Sequence, residues 1–252
     1  MHQNDLHPLR FFVTEAYPCS YLAGHMARSQ VQEPMNDPAT TATQRYSAMV
    51  RRGFRRSGPL TYRPCCDLCH ACIPVRLPVD LFIPDRSQRR AERRHAGLVA
   101  TVHPPAFSPE HFELYQRYQR ARHRDGTMEH DNPEQYRQFL LASPIPETRL
   151  VEFREQGHLR MVSVIDPLAD GISSVYTFFD PDLPGASLGT YGVLWQIEAC
   201  RQLQLPYLYL GYWISASRKM SYKARFQPLE AYSGGGQWKS LALNETGQIQ
   251  NS

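Results

Sequence analysis

Lysine is almost missing from this chain: Lys219, Lys223 and Lys239 stand against 25 arginines. A bias that strong reflects genome composition as well as selection, so where the arginines fall says more than their being arginine. Long apolar runs are missing too. The stretches 149–153 and 207–214 fall far short of the ~20 residues a membrane helix needs. No basic segment followed by an apolar one opens the chain, which predicts a soluble, unexported protein. Cysteine is scarce and bunched: Cys19, Cys65, Cys66, Cys69, Cys72 and Cys200 do not make a disulfide scaffold. They read as thiols or ligands in a reducing cytoplasm. What is present, 252 residues with 42% hydrophobic content, suffices for one large domain or two small ones.

The formal net charge of +4 conceals an asymmetry. Residues 1–126 hold 18 basic and 11 acidic groups, and residues 127–252 hold 10 and 13. Between Arg45 and Arg94 twelve arginines face only Asp67, Asp80, Asp85 and Glu92. Such a block fits a polyanionic partner, nucleic acid above all, or else a solvated charged face.

Along the chain, residues 44–50 read as a short helix stopped by Gly53, and residues 60–62 as an extended piece. Residues 73–77 and 79–83 look like strand fragments broken by Pro74, Pro78 and Pro84. Asp85-Arg86-Ser87 opens a very basic helix over 88–95. Pro104, Pro105 and Pro109 mark the best internal boundary, and Phe112, Tyr115 and Tyr118 recur at helical spacing after it. The expected division is a basic, cysteine-containing N-terminal subdomain over 1–103, an acyltransferase-like domain over 104–240 and a flexible tail over 241–252. From Arg149 the period becomes that of strands: 150–153, a turn at Gln156-Gly157, 159–165, then 173–179. A loop over 180–185 leads into a helix carrying Val193, Leu194, Ile197, Cys200 and Leu203, and 207–214 is a last long strand. This order predicts an α+β fold with an acetyltransferase-like (GNAT-type) mixed β-sheet core.

Three clusters carry chemistry. Ser187-Leu188-Gly189-Thr190-Tyr191-Gly192 stands at a helix start, where free N–H groups and the helix dipole favour an anion. The glycine-rich coenzyme A loop of the fold is not in the sequence, which favours another acyl donor. Cys65-Cys66-Asp67-Leu68-Cys69-His70-Ala71-Cys72 holds two overlapping C-x-x-C units. It admits zinc or iron–sulfur with Cys19 or Cys65 as fourth ligand, reduced structural thiols, or a redox sensor. The third cluster, residues 207–214 followed by Lys219 to Phe226, interleaves aromatic and basic residues. It suits the 3′ end of an RNA or, equally, a buried strand followed by a polar loop.

Taken in order, Pro18-Cys19-Ser20-Tyr21-Leu22, Gly53-Phe54-Arg55-Arg56-Ser57-Gly58, Tyr62-Arg63-Pro64, Cys66-x-x-Cys69-x-x-Cys72-x-Pro74-x-Arg76 and Ser87-Gln88-Arg89-Arg90 make a distinctive series. It continues with Ser187-Leu188-Gly189-Thr190, Tyr209-Leu210-Gly211-Tyr212-Trp213-Ile214 and Met220-x-Tyr222-Lys223-x-Arg225-Phe226-x-Pro228. The series resembles the arginyl-tRNA–protein transferase family of the N-degron pathway, in its bacterial aspartate/glutamate leucyltransferase branch, from about Thr14 to Trp238. The doubled Cys65-Cys66 departs from the single cysteine of that branch and leaves the metal question open.

The resemblance implies transfer of leucine from Leu-tRNA to the N-terminal amine of proteins beginning with Asp or Glu. No cofactor is required for transfer, and zinc or iron–sulfur is an option at Cys66, Cys69, Cys72 and Cys19. Arg55, Arg56 and Arg76 become the candidates for the acidic N-terminus. For aminoacyl-tRNA the candidates are Ser187, Gly189 and Thr190 at the helix start, Tyr209, Tyr212 and Tyr222, Lys223 and Arg225 on phosphate, and Arg89 and Arg90 on the basic helix. Asp180 is read as a proton relay or as a cap, and His123 as an RNA contact or a structural histidine. The partners are aminoacyl-tRNA and acidic N-termini, with no membrane. Rival readings are an arginyl donor, another transferase on the same fold using acetyl-coenzyme A or cell-wall peptides, and a non-catalytic tRNA-binding protein.

Overall fold

The computed structural model describes residues 10–32, 41–122, 131–183 and 185–241. In chain order its elements are β1 (Phe11–Val13), β2 (Tyr17–Pro18), β3 (Met26–Ala27), β4 (Ser29–Gln32), α1 (Ala42–Arg51), β5 (Arg55–Ser57), β6 (Leu60–Pro64), β7 (Ile73–Pro78) and α2 (Arg86–Arg94). Then come β8 (Val99–His103), α3 (Pro109–Arg122), α4 (Pro133–Tyr136), β9 (Arg149–Glu155), β10 (His158–Leu168), β11 (Gly171–Phe179), α5 (Leu188–Gln202), β12 (Tyr207–Trp213), β13 (Glu230–Gly234) and β14 (Gln237–Ser240). His123, residues 33–40 and residues 242–252 lie outside the described residues.

Helix starts are written locally. Thr41 with Gln44, Asp85 with Gln88 and Asn132 with Gln135 each close a capping box, in which side chain and backbone satisfy each other's free groups at α1, α2 and α4. The β9–β10 hairpin turns at Gln156 and Gly157, both at positive φ, the conformation a tight two-residue turn demands. One fragment departs from its expected form. Residues 79–83, read as strand, hold a 3-10 turn at Val79–Leu81, because prolines bracket them and Arg201 takes the carbonyls of Val79 and Phe82 at 2.8 and 2.7 Å.

The strands form an eight-stranded sheet ordered β14-β13-β7-β12-β11-β10-β9-β8, a four-stranded sheet ordered β1-β4-β6-β5 and a β2-β3 pair. Three antiparallel strands, a helix and then a strand parallel to the third make the acetyltransferase-like order expected of the α+β core. Strands on both sides of residue 103 share the large sheet, with β7 between β12 and β13 and β8 beside β9. Pleating divides the core between two faces. Val151, Phe153 and Met161 pack with Val193, Leu194 and Ile197 of α5 and Ala91 of α2. Leu150, Val162 and Val164 pack with Leu114 and Tyr115 of α3 and Tyr136 of α4.

One ion pair ties the small sheet to the large. Arg56 of β5 reaches Asp166 of β10 through Nε at 2.6 Å and Nη2 at 3.1 Å, and neither side chain is exposed at all. Thr148 donates to the same carboxylate at 2.7 Å, while Nη1 of Arg56 meets the carbonyls of Gly58 and Ala142. Removing one partner strands a buried charge, which costs about 3–5 kcal/mol, whereas removing both is close to neutral. In urea denaturation Arg56→Met or Asp166→Leu alone should therefore lose about that much stability, and the double substitution should recover most of it. Additive losses would show that the two residues are not a lock.

Candidate functional site

Consecutive strand residues point to opposite faces, so Arg55 leaves β5 on the side away from Asp166. It stands directly opposite Tyr62 of β6 and so shares a face with it. Strands β11 and β12 pair only over Gly171–Ser173 and Tyr207–Tyr209, and beyond Ser173 and Tyr209 they part. Arg55 fills the opening. Its Nη2 donates to the carbonyls of Ser174 and Val175 at 2.5 and 3.3 Å, while Nη1 is buried and has no partner. Gly211, at φ +77°, makes room, because a Cβ there would sit 1.9 Å from Nη1. Burial raises the phenols of Tyr21, Tyr62 and Tyr212 above their usual range despite the Arg55 charge. They stay neutral and supply no counter-anion.

On this face lies a cavity of about 410 Å³, lined by Ser57, Leu60, Tyr62 and Tyr212, by Tyr17, Tyr21 and Met26, and by the thiols of Cys19, Cys66, Cys69 and Cys72. The hydroxyl of Tyr212 bonds to the carbonyl of Gly53 or of Tyr62, at 3.1 and 3.2 Å. Among the described residues no three His, Cys, Asp or Glu converge closely enough to hold a metal ion, so the thiol set does not fit zinc or iron–sulfur in this arrangement. Burial, and after it the neighbouring Cys19, Cys66 and Cys69, push the Cys72 thiol up to about 12. In its protonated form a thiol is a poor nucleophile.

A second, smaller concavity of about 60 Å³ lies where α2 meets the start of α5, lined by Ser87, Arg90, Arg94, Ser187, Thr190 and Arg225 among others. Ser187 holds φ 59° and its side chain makes no cap. The helix start is therefore open to an outside acceptor. Arg225 reaches Ser87 at 2.7 Å, and Arg94 holds the Gly185 carbonyl at 2.9 Å. The sequence reading named Ser187, Thr190, Arg90 and Arg225 and missed Ser87 and Arg94. Arg94 was within reach, being four residues beyond Arg90 on one helix face. Arg89 is exposed beside this pocket on α2, and Gly189 packs instead against the ring of Phe179, which a Cβ would approach to 3.2 Å.

The other expected residues lie apart. Arg76 is held by Glu230 at 2.7 Å and by the hydroxyl of Tyr209 at 3.3 Å, and it stacks on Tyr207 and Trp238 at 3.6 and 4.6 Å. Tyr209 also donates to Asp170 at 3.0 Å, on the face opposite α5. Asp180 is buried, with Arg117 at 2.6 Å on one oxygen and Arg160 at 3.2 Å on the other, which clamps α3, β10 and the loop toward α5 together. Tyr222 is 44% exposed, whereas Lys223, its neighbour, is buried.

The chain matches two family descriptions, "Arginine-tRNA-protein transferase, N terminus" over residues 17–90 and "Arginine-tRNA-protein transferase, C terminus" over residues 110–233. It is 58% identical to an aspartate/glutamate leucyltransferase of Nitrosospira multiformis, covering 94% of each chain. A protein of the same name from Chromobacterium violaceum is 52% identical over 92% of this chain and 94% of its own. One from Alcanivorax borkumensis is 46% identical over 96% and 99%. Among solved structures, L-PGS from Bacillus licheniformis superposes on 64% of this chain and 47% of its own with a TM-score of 0.42 at 14% identity.

The protonated state of Cys72 is open to direct measurement. At pH 8 it should be alkylated by iodoacetamide at least about tenfold more slowly than an unperturbed thiol, because its thiolate fraction is smaller by orders of magnitude. Peptide mass spectrometry of a time course reads the rate. Alkylation of Cys72 as fast as that of free cysteine would mean an ionised, ligand-grade thiol.

Proposed function

We propose a mechanism and a residue assignment for this chain, which belongs to the arginine-tRNA–protein transferase family. The activity is that of its aspartate/glutamate leucyltransferase relatives: leucine passes from Leu-tRNA to the α-amine of a protein beginning with Asp or Glu. The family sets this reaction in the N-degron pathway. Charged tRNA and reduced thiols coexist in the cytoplasm, and this reading puts the protein there. Among the described residues no helix is long and apolar enough to cross a membrane.

The chemistry asks for positioning more than for activation. The amine nitrogen attacks the ester carbonyl of the aminoacyl group and a C–N bond forms. The C–O bond to the terminal ribose breaks, and that oxygen leaves with the proton the amine gives up. The ester is already activated, and with an α-amine pKa of about 7.7–8.0 roughly a tenth to a fifth of acceptor amines are free base at pH 7. Holding the two groups together supplies most of what is needed.

The pocket at the α5 start takes a phosphate of the tRNA 3′ terminus through Arg90, Arg94, Arg225 and the helix N–H groups, with Arg89 contributing long-range charge. The aminoacyl end then extends from the α5 start toward the mouth of the β11–β12 opening that Arg55 occupies. Acidic selectivity falls to Arg55, and the observation that carries it is the buried Nη1, which has no hydrogen-bond partner and lies against Gly211, the chain neighbour of the cavity-lining Tyr212. Arg56 and Arg76 are bound to Asp166 and Glu230 and have nothing left to offer. Asp180 serves as the clamp that fixes the loop into α5 rather than as a base. The thiols shape the cavity wall and take no part in the transfer.

Two outcomes check this reading. Arg90→Ala with Arg94→Ala should weaken Leu-tRNA binding about tenfold at 0.15 M salt and flatten its salt dependence by about two phosphate contacts. Filter binding at several salt concentrations measures both, and an unchanged slope would place the RNA elsewhere. Arg55→Lys should reduce the preference for Asp- over Asn-starting peptides by roughly ten- to a hundredfold, since the hydrogen bond that the free Nη1 gives a buried carboxylate is worth about 1.5–3 kcal/mol. A preference that survives Arg55→Lys intact removes Arg55 from the acceptor pocket.

A further inference from the structure

Two of the three lysines, Lys219 and Lys239, are exposed, and Lys223 is buried at 6% exposure. It sits in the 3-10 turn Ser221–Arg225 that follows β12. Its Nζ donates to the Tyr212 carbonyl at 2.6 Å and contacts the sulfur of Met220 at 3.3 Å. Among the described residues no carboxylate pairs with it, and none pairs with Arg55. Arg55 reaches the same stretch of β12, its Nη1 lying against Gly211, the residue before the Tyr212 whose carbonyl Nζ holds, and burial together with the Arg55 charge pushes the Lys223 pKa well below the usual lysine value. A guanidinium and a buried amine thus share one desolvated region to which the described residues contribute no carboxylate, an arrangement that disfavours charge on Lys223 until a negative group arrives.

The turn separates neighbours with different duties. Arg225 leaves it toward Ser87 and the pocket at the α5 start, while Lys223 turns inward. The expectation that both meet phosphate therefore divides between two places. Lys223 adjoins the acceptor cavity through β12: it holds the carbonyl of Tyr212, whose residue lines the cavity. A carboxylate entering from that side has two oxygens to satisfy. The free Nη1 of Arg55 answers one, and Nζ has a proton to give the other.

We infer that Lys223 is the second arm of an anion clamp, closing with Arg55 on the side-chain carboxylate of an acceptor that begins with Asp or Glu. This rests on the leucyl-transfer reading above. Lys223 is then a specificity-determining residue, and removing its amine weakens recognition of the acceptor carboxylate without touching the donor. A hydrogen bond to a charged group is worth enough that its loss shows as about ten- to a hundredfold in acceptor KM.

The test compares the full-length protein with K223M, which keeps length and apolar bulk, and with K223R, which keeps the charge. Initial rates of leucine transfer from Leu-tRNA are measured on peptides that differ only in starting with Asp, Glu, Asn, Gln or Ala. The expected result is an acceptor KM raised about ten- to a hundredfold for Asp and Glu in K223M, little change for Asn, Gln and Ala, an unchanged half-saturation for Leu-tRNA, and partial rescue in K223R. Equal losses for Asp and Asn peptides, or intact acidic preference in K223M, overturn the clamp while leaving the transferase reading standing. If K223M fails to fold, K223Q takes its place: an acceptor KM raised for Asp and Glu beyond that for the Asn control supports the clamp, and unchanged KM values for Asp and Glu overturn it. A wild-type protein that transfers leucine to none of the peptides overturns both the clamp and the reading beneath it.

Discussion

The period of a β-strand governs the central region of this molecule. Arg55 and Arg56 are adjacent in sequence and identical in chemistry, yet the pleat of β5 sends them to opposite faces. Arg56 turns to Asp166 and becomes a fully buried tie between the two sheets. Arg55 turns to the gap between β11 and β12 and becomes a cation with one nitrogen left over. The two roles depend on each other, since the tie holds β5 in place and β5 in place holds Arg55 in the gap. A one-residue slip in the β5–β6 register would exchange the two side chains and lose both functions.

How much of this was legible in the sequence depends on range. Features closed within a few residues were readable: the Asp85–Gln88 cap that starts the basic helix, the Gln156-Gly157 turn, and the apolar repeat of α5. Features that need a distant partner were not. Arg55, Arg56 and Arg76 all sit in motifs and all suit a carboxylate, and nothing local distinguishes them. Their fates are set by Asp166, 110 residues from Arg56, and by Glu230, 154 residues from Arg76. The edge strands β8 and β13–β14 also escaped the reading, because they are short and half-exposed and carry little alternation.

The donor-side pocket was legible in kind because its main component is a helix start, which announces itself by glycine, serine and threonine before an apolar repeat. Its completion by α2 was not, because Ser87 and Arg94 enter only when α2 packs beside α5. Ser187 adds a detail that sequence does not carry. A serine at a helix start is ordinarily expected to cap it, and here the left-handed backbone turns the side chain away from that duty. Positive φ at a non-glycine residue is unusual and tends to persist where function demands it. The uncapped N–H groups are what an anion would find.

Asp180 is held in the structure as a tie between elements. Carboxylates at the end of a core strand invite assignment as bases, and this one is buried beside the loop into α5. Both of its oxygens, however, accept from guanidiniums, one from Arg117 and the other from Arg160. Its contribution is mechanical: α3 and β10 are bound to the loop whose far end presents the helix start. That loop continues from the same strand, β11, whose carbonyls at Ser174 and Val175 accept from Arg55, so on the proposed assignment one strand serves both donor and acceptor. An activated ester and an amine that is partly free base need little more than to be brought together, and a single strand that anchors both sides of the gap is a direct way to fix their separation.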